Sequence, residues 1–142
     1  MEPVAITTRA EYDLCKSRGI EPLVDRRFAM DIRLRVAIQR ELFGTGHTPQ
    51  ENERFYRFCW DNYPHQCAET MRPLNQYSAT YVSHILTRGA HPEMAHDPRN
   101  VNILSFECHN RWENGDRKNM RIFAGNQIII EQLKREYATI EL

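Results

Sequence analysis

The sequence predicts an α+β fold in a single domain, 1–142, with a two-stranded sheet flanked by N- and C-terminal helices. Three observations predict it. Two short stretches rich in β-branched and aromatic residues, "SATYVSHIL" and "VNIL", sit mid-chain on either side of a polar loop. Segments with helical spacing and helix-start signals lie before and after them. A chain of 142 residues suits one core and is too short for two full-sized ones.

Taken in order, Thr8 and Glu11 have capping-box spacing, so "TRAEYDLCKSRG" is expected to be a short helix ending near Gly19. "RRFAMDIRLRVAIQRELFG" reads two ways. Phe28, Met30, Ile32, Leu34, Val36 and Ile38 alternate as in a strand, whereas Phe28, Ile32, Val36 and the pair Leu42–Phe43 share one helix face. Its length and its Ala, Arg, Gln, Glu and Leu favour helix. "GTGHTPQ" is a turn, and Thr48, Pro49 and Glu51 stand at N-cap, N1 and N3 of the next helix. That helix should carry Phe55, Phe58 and Cys59 inward and stop before Pro64, which makes 1–63 a mainly helical region. "TRGAHPEMAHDPRN" is a long loop of the kind that is uncommon unless functional. "SFECHNRWENG" is a helix closed by Gly115, with Ile103, Leu104, Phe106 and Trp112 packing it against the strands. "NQIIIEQLKREY" is an amphipathic helix within 121–142, with Ile128, Ile129, Ile130 and Leu133 as core residues. Cys15 reads as an inert helical residue.

Composition narrows the class. Hydrophobic content of 41% with 27% charged is ordinary for a soluble globular protein. No apolar run approaches the ~18 residues of a membrane span, so no membrane partner is expected. "MEPVAITTRAEYD" has neither the basic nor the apolar region of a secretory signal, which predicts a cytoplasmic protein with reduced thiols. The formal net charge is zero, an argument against a phosphate-binding surface. Charge is clustered nonetheless. Residues 111–121 hold four basic and two acidic side chains, and residues 16–40 hold seven basic and three acidic. Such clusters suit a DNA-facing patch or a solvated face equally well.

His109 and Glu113 lie one helical turn apart on the same face, where an imidazole nitrogen and a carboxylate oxygen can hold a divalent cation. Alone, the pair is as well read as a surface His–Glu hydrogen bond. His84 on the first strand and Asn100 entering the second complete an ordered set, with Asn100 nine residues before His109. "LSFECH" stands where a Leu-Cys-x-x-Cys-His string would close such a set. From His65 to Met120 the chain resembles the HNH endonucleases, and "SHILTRGAHPE…DPRNVNIL…CHNRWE" is similar to their phage and prophage branch.

The resemblance implies a ββα-metal core over 65–120 and hydrolysis of DNA phosphodiesters to 5′ phosphate and 3′ hydroxyl ends. It implies His84 as general base, Asn100 as the residue that positions that base or its loop, and His109 with Glu113 as metal ligands. It also implies the cytoplasm of a bacterial or phage-infected cell. Two departures modify it. Ser83 replaces a ligating Asp or His, which favours Mg²⁺ or Mn²⁺ over Zn²⁺. A third ligand from His91, His96 or Asp97 competes with plain loop solvation and turn-making, which is preferred. Thr70 and Ser105 replace two cysteines of the family's zinc knuckle, leaving Cys67 and Cys108, so no structural zinc is expected unless His65 or Cys59 joins them. A Cys67–Cys108 disulfide is disfavoured by the expected compartment. Arg88, Arg99, Arg111, Arg117, Lys118 and Arg121 are candidates for phosphate contacts or solvated surface. Two rivals stand beside the nuclease: a catalytically inactive nucleic-acid-binding protein and a phage-interaction protein on the same fold. A homodimer is left open.

Overall fold

A computed structural model describes residues 4–5, 22–23 and 32–140. The helix expected at 8–19, with Cys15, and the positions of Phe28 and Met30 lie outside the described residues. Two short strands, β1 (Val4–Ala5) and β2 (Pro22–Leu23), pair in parallel. Nothing in the sequence signals that second sheet within the mainly helical region.

The ambiguous segment is a helix, α1 (Ile32–Phe43). Its buried residues Ile32, Arg35, Val36, Ile38, Gln39 and Phe43 recur mostly at spacings of three and four, as on the inward side of a helix. Gly44 ends it at φ +98°, and a Cβ there would overlap the Glu51 carboxylate. α2 (Pro49–Asn62) starts on the expected capping box: Glu51 N–H donates to Thr48 Oγ1 and Thr48 N–H donates to Glu51 Oε1, each at 3.2 Å. Thr48 N–H, with Gly46 N–H donating to Oε2 at 3.2 Å, holds the Glu51 carboxyl below its usual range. Phe55, Phe58 and Cys59 turn inward as expected, and the helix stops ahead of Pro64.

β3 (Val82–His84) and β4 (Val101–Ile103) pair antiparallel, with Val82 opposite Ile103, Ser83 opposite Asn102 and His84 opposite Val101. β3 is shorter than its β-rich sequence suggests. Ser78 Oγ accepts from Thr80 N–H and turns residues Ala79–Tyr81 into a 3₁₀ turn. The long loop is ordered by two further 3₁₀ turns, Pro92–Met94 and Pro98–Asn100, each opened by a proline. α3 (Phe106–Asn114) follows β4, with Ser105 Oγ accepting from Cys108 N–H as its cap. Gly115 closes α3 at φ −117°, an ordinary value; a Cβ there would approach the Arg111 carbonyl oxygen to 3.0 Å. α4 (Phe123–Tyr137) begins three residues earlier than "NQIIIEQLKREY" indicates.

Three apolar clusters join these elements. Ile38, Phe43, Phe55, Phe58 and Trp60 pack α1 and α2 on the sheet residues Val82, Val101 and Ile103. Ile85, Leu104, Cys67, Cys108, Trp112 and Met120 hold α3 against the strand ends, and Trp112 Nε1–H donates to the Ile85 carbonyl at 3.2 Å. Ile32, Val36, Met94, Leu133 and Tyr137 tie α1, the loop and α4 together. Two expected core residues are on the outside: Phe106 is 65% and Ile128 68% exposed. At about 100° per residue, each lies two positions, or roughly 200°, from a buried residue of its own helix. Those residues are Cys108 in α3 and Asn126 in α4. Among the described residues no helix is long and apolar enough to cross a membrane.

Candidate active site

His84 ends β3, Asn100 ends the loop immediately before β4, and His109 and Glu113 lie along α3. A cleft of about 450 Å³ is lined by His84, Arg88 and Glu113, with His47 and Asn52 from the start of α2.

His84 is 8% exposed. Its Nε2 lies 2.8 Å from the Ala95 carbonyl oxygen. A carbonyl only accepts, so Nε2 carries the proton and Nδ1 the lone pair. Burial pushes the imidazole down to about 4, against the opposing effect of the Ala95 carbonyl, and Arg88 and His109 push it further in the same direction as burial. The ring is therefore neutral at physiological pH.

Asn100, fully buried, acts on the loop. Its Oδ1 accepts from Leu86 N–H at 2.8 Å, while Nδ2 donates to the Leu86 carbonyl at 2.9 Å and the Met94 carbonyl at 3.2 Å. One side chain thus pins both ends of the loop and, through Met94, the neighbouring Ala95 carbonyl that orients His84.

His109 Nδ1 lies 2.6 Å from the Thr80 carbonyl oxygen and so carries a proton. Its Nε2 faces Glu113 Oε1 at 2.9 Å. With a neutral ring those two atoms are both acceptors, and only a shared proton or a cation makes the contact favourable. The pair is an ion pair in the first case and a two-atom ligand set in the second.

The other candidates are sorted by their contacts. Among the described residues, no cluster of three or more His, Cys, Asp or Glu side chains is grouped to hold a metal. Asp97 is wholly buried and bound to Arg99, His91 pairs with Glu93 at 3.4 Å, and His96 donates to Asn52. Each of the three is engaged with a partner other than His109 or Glu113. Arg99 leaves the phosphate-binding candidates for the same reason, being buried between Asp97 and Glu136. Arg111 pairs with Asp116, Arg121 donates to the Ala68 and Glu69 carbonyls, and Arg117 covers the Trp112 ring. Arg88 lines the cleft. Ser83 Oγ is buried without a hydrogen-bond partner among the described residues.

The four residues at the knuckle positions converge. Cys67 Sγ and Ser105 Oγ are 3.7 Å apart, and Cys67 and Cys108 share one apolar cluster. Burial pushes the Cys67 thiol up, but hydrogen bonds from Ser105 and Thr70 outweigh it and bring it down to about 7. His65 stacks on Trp60 at 3.8 Å and Cys59 sits in the sheet cluster, so neither joins them.

His47 and Asn52 were not marked by any motif. Their signal is local: the glycine-flanked turn "GTGHTPQ" delivers His47 just ahead of the α2 cap. Phe55 stacks on both His84 (5.9 Å, 24°) and His96 (5.1 Å, 26°), which links α2 to the cleft.

The buried imidazoles set a pH dependence of stability. Burial also lowers His96 to about 4, with the charges of His47 and His84 adding to the effect. For both rings the folded value lies below the unfolded one of about 6.5. The unfolded chain therefore binds more protons between these values, and stability falls as pH drops from about 6.5 to about 4. Protonation of the buried His84 ring removes on the order of 3 kcal/mol, and His96 adds less. Urea denaturation at pH 7.0, 5.5 and 4.5 should show the decline, with a shallower one in His96→Gln. A flat profile over this range would contradict the neutral, buried assignment.

Compared with known proteins, the chain matches no family model, no curated protein and no solved structure.

Proposed function

We propose that the protein is a metal-dependent endonuclease of the HNH, ββα-metal kind that hydrolyses phosphodiester bonds of DNA. The observation that carries this reading is the meeting, at one cleft, of a tautomer-fixed neutral imidazole on a strand and Glu113, whose carboxylate is paired with His109 on the following helix. The order strand, Asn-pinned loop, strand, helix supports it as well.

His84 accepts the proton of the attacking water at Nδ1. The Ala95 carbonyl keeps Nε2–H in place and stabilises the imidazolium that results. A phosphodiester in the cleft brings negative charge beside a ring that burial has made a weak base, which raises its proton affinity when substrate is present. Asn100 is a positioning residue, acting through the loop that carries Ala95. Arg88 meets a non-bridging phosphate oxygen.

The donor set of His109 and Glu113 fits an oxygen-preferring divalent ion such as Mg²⁺ or Mn²⁺. His109 Nε2 and Glu113 Oε1, 2.9 Å apart with the imidazole tautomer fixed by Thr80, would hold such an ion. A bound cation would supply positive charge to the phosphate and the leaving 3′ oxygen.

The test is metal binding and cutting together. Mn²⁺ at about 100 times its dissociation constant should stabilise the wild type by about 2.7 kcal/mol. Glu113→Gln and His109→Ala should lose both that stabilisation and cleavage of a labelled duplex. Stabilisation by metal that survives both substitutions would place the ion elsewhere. Ser83, standing in a position the resemblance gives to a metal ligand and buried with its Oγ unpartnered among the described residues, favours a second reading, a nucleic-acid-binding protein without catalysis. That reading expects DNA binding and no cleavage with any ion.

A further inference from the structure

Three parts of the fold line the cleft: the end of β3 and the loop after it with His84 and Arg88, α3 with Glu113, and the start of α2 with His47 and Asn52. The reaction as proposed draws on the first two. On the α2 side, Asn52 is already spent. Its Nδ2 donates to the His47 carbonyl at 3.3 Å, and its Oδ1 accepts from His96 Nε2–H at 2.8 Å. The ring of His47 is not spent. Among the described residues it packs against the His96 ring, and no hydrogen bond engages either of its nitrogens. An imidazole carries at least one N–H whatever its charge, so His47 brings a donor to the cleft.

Although exposed, this side chain is held in place. His47 takes the left-handed backbone, φ 51°, in a turn where Gly44 is at φ 98°. Gly46 N–H and Thr48 N–H donate to the two Glu51 carboxylate oxygens, each at 3.2 Å, and Asn52 fixes the His47 carbonyl. A non-glycine residue persists at positive φ where its surroundings over-determine it, and such positions cluster at functional sites. The ring is fixed as well. It lies 4.5 Å from that of His96 at a 32° tilt, His96 stacks on Phe55 at 5.1 Å, and Phe55 stacks on His84 at 5.9 Å. An unbroken run of rings thus sets His47 relative to the imidazole that ends β3. A solvated surface histidine gains nothing from this bracing, whereas a group that meets a ligand at a set distance needs it.

We propose that His47 is a further catalytic residue, which donates its N–H to a non-bridging oxygen of the scissile phosphate from the α2 side while Arg88 meets that phosphate from the loop side. The proposal rests on the nuclease reading. As water adds at phosphorus, negative charge grows on the non-bridging oxygens. A donor aimed at one of them therefore binds the transition state more strongly than the ground state. A fixed donor also limits rotation of the phosphate and keeps phosphorus facing the water that His84 deprotonates at Nδ1. His47 lies outside the stretch 65–120 that carries the resemblance to HNH endonucleases. The contact gives the helical region before that stretch a part in the reaction.

The test compares the full chain with His47→Gly and His47→Asn. Glycine and asparagine both accept positive φ, so the turn is kept while the ring is removed, and asparagine returns an amide N–H. The substrates are a duplex with a normal scissile phosphate and the same duplex with each phosphorothioate diastereomer, cut in Mn²⁺ under single-turnover conditions. Sulfur is a poor hydrogen-bond acceptor, so the wild type should cut one diastereomer about tenfold or more slowly than the other. His47→Gly should lose about 10²–10³-fold on the normal duplex, the span for removing one such donor, and most of the stereochemical preference. His47→Asn should recover part of both. Equal cutting of the diastereomers by the wild type, or an unimpaired rate in His47→Gly, overturns the proposal. So does a slower His47→Gly that keeps the wild-type preference, which marks a structural role. Binding of the uncut duplex in chelator, measured in parallel, keeps this proposal and the nuclease reading apart. A wild type that cuts no better than His47→Gly removes only this contact, whereas a wild type that cuts with no ion removes the nuclease. In that case affinity decides the contact: a loss of about threefold or more in His47→Gly keeps His47 as a phosphate ligand, and no loss removes it.

Discussion

If the protein is the nuclease proposed, His84→Ala should lower the single-turnover rate of phosphodiester cleavage by about 10²–10⁴-fold, the span typical of a lost general base, and leave DNA binding nearly unchanged. The size follows from the site. His84 presents its lone pair through Nδ1, because the Ala95 carbonyl holds Nε2–H at 2.8 Å. His109, by contrast, is engaged at both nitrogens, by the Thr80 carbonyl and by Glu113. A substitution with equal loss of rate and of DNA affinity would point to a binding role for His84. His84→Gln guards against a packing explanation, since it keeps most of the bulk facing Phe55.

Arg99→Ala costs about 3–5 kcal/mol of folding stability, the range for removing one partner of a buried ion pair. Asp97 is fully buried, and burial alone would raise its carboxyl; the Arg99 guanidinium outweighs that and holds it low. Arg99 donates to both Asp97 oxygens, through Nε at 3.1 Å and NH2 at 2.8 Å, and reaches Glu136 on α4 through NH1 at 2.9 Å. Tyr137 O–H adds a bond to Asp97 at 2.9 Å. Removing this cation leaves the buried carboxylate with only the charge of Arg35 beside it and unfastens the loop from α4. The double variant Asp97→Asn/Arg99→Met should lose less than Arg99→Ala alone, because the buried Asp97 charge is removed with its partner. Urea midpoints for the three proteins measure this. A single-variant loss below about 1 kcal/mol would place the pair in the weak class of exposed salt bridges.

Much of the frame was legible because it is written in local chemistry. Thr48, Pro49 and Glu51 announce α2 through groups within four residues of one another, and the bonds they make are those the spacing demands. The alternation in 28–38 misleads only over a few residues. Phe43, Gln39, Arg35 and Ile32 settle it once they are seen to share a face, and two of these four are polar residues that a hydrophobic pattern passes over. β3 was overestimated because "SATY" has strand composition while the Ser78 side chain bends the backbone first. Of the candidate site, His84, Asn100, His109 and Glu113 all line or support one region, and their spacing carried that information. What the sequence hides is contact between distant segments. His47 and Asn52 reach the cleft from more than thirty residues before His84. Arg99 looks like a phosphate ligand until Glu136, 37 residues later, is found beside it. Thr80 contributes a backbone carbonyl, which no residue pattern encodes.

The most direct test of the central claim is relaxation of supercoiled plasmid by the purified chain, first in chelator and then with Mg²⁺, Mn²⁺, Ni²⁺ or Zn²⁺ added separately. His84→Ala from the same preparation serves as control for contaminating nuclease. The predicted result is nicking with Mg²⁺ or Mn²⁺, none in chelator, and none in the variant. Cleavage of equal extent by both proteins, or no cleavage by either with any ion while both retard DNA in a gel, would contradict it.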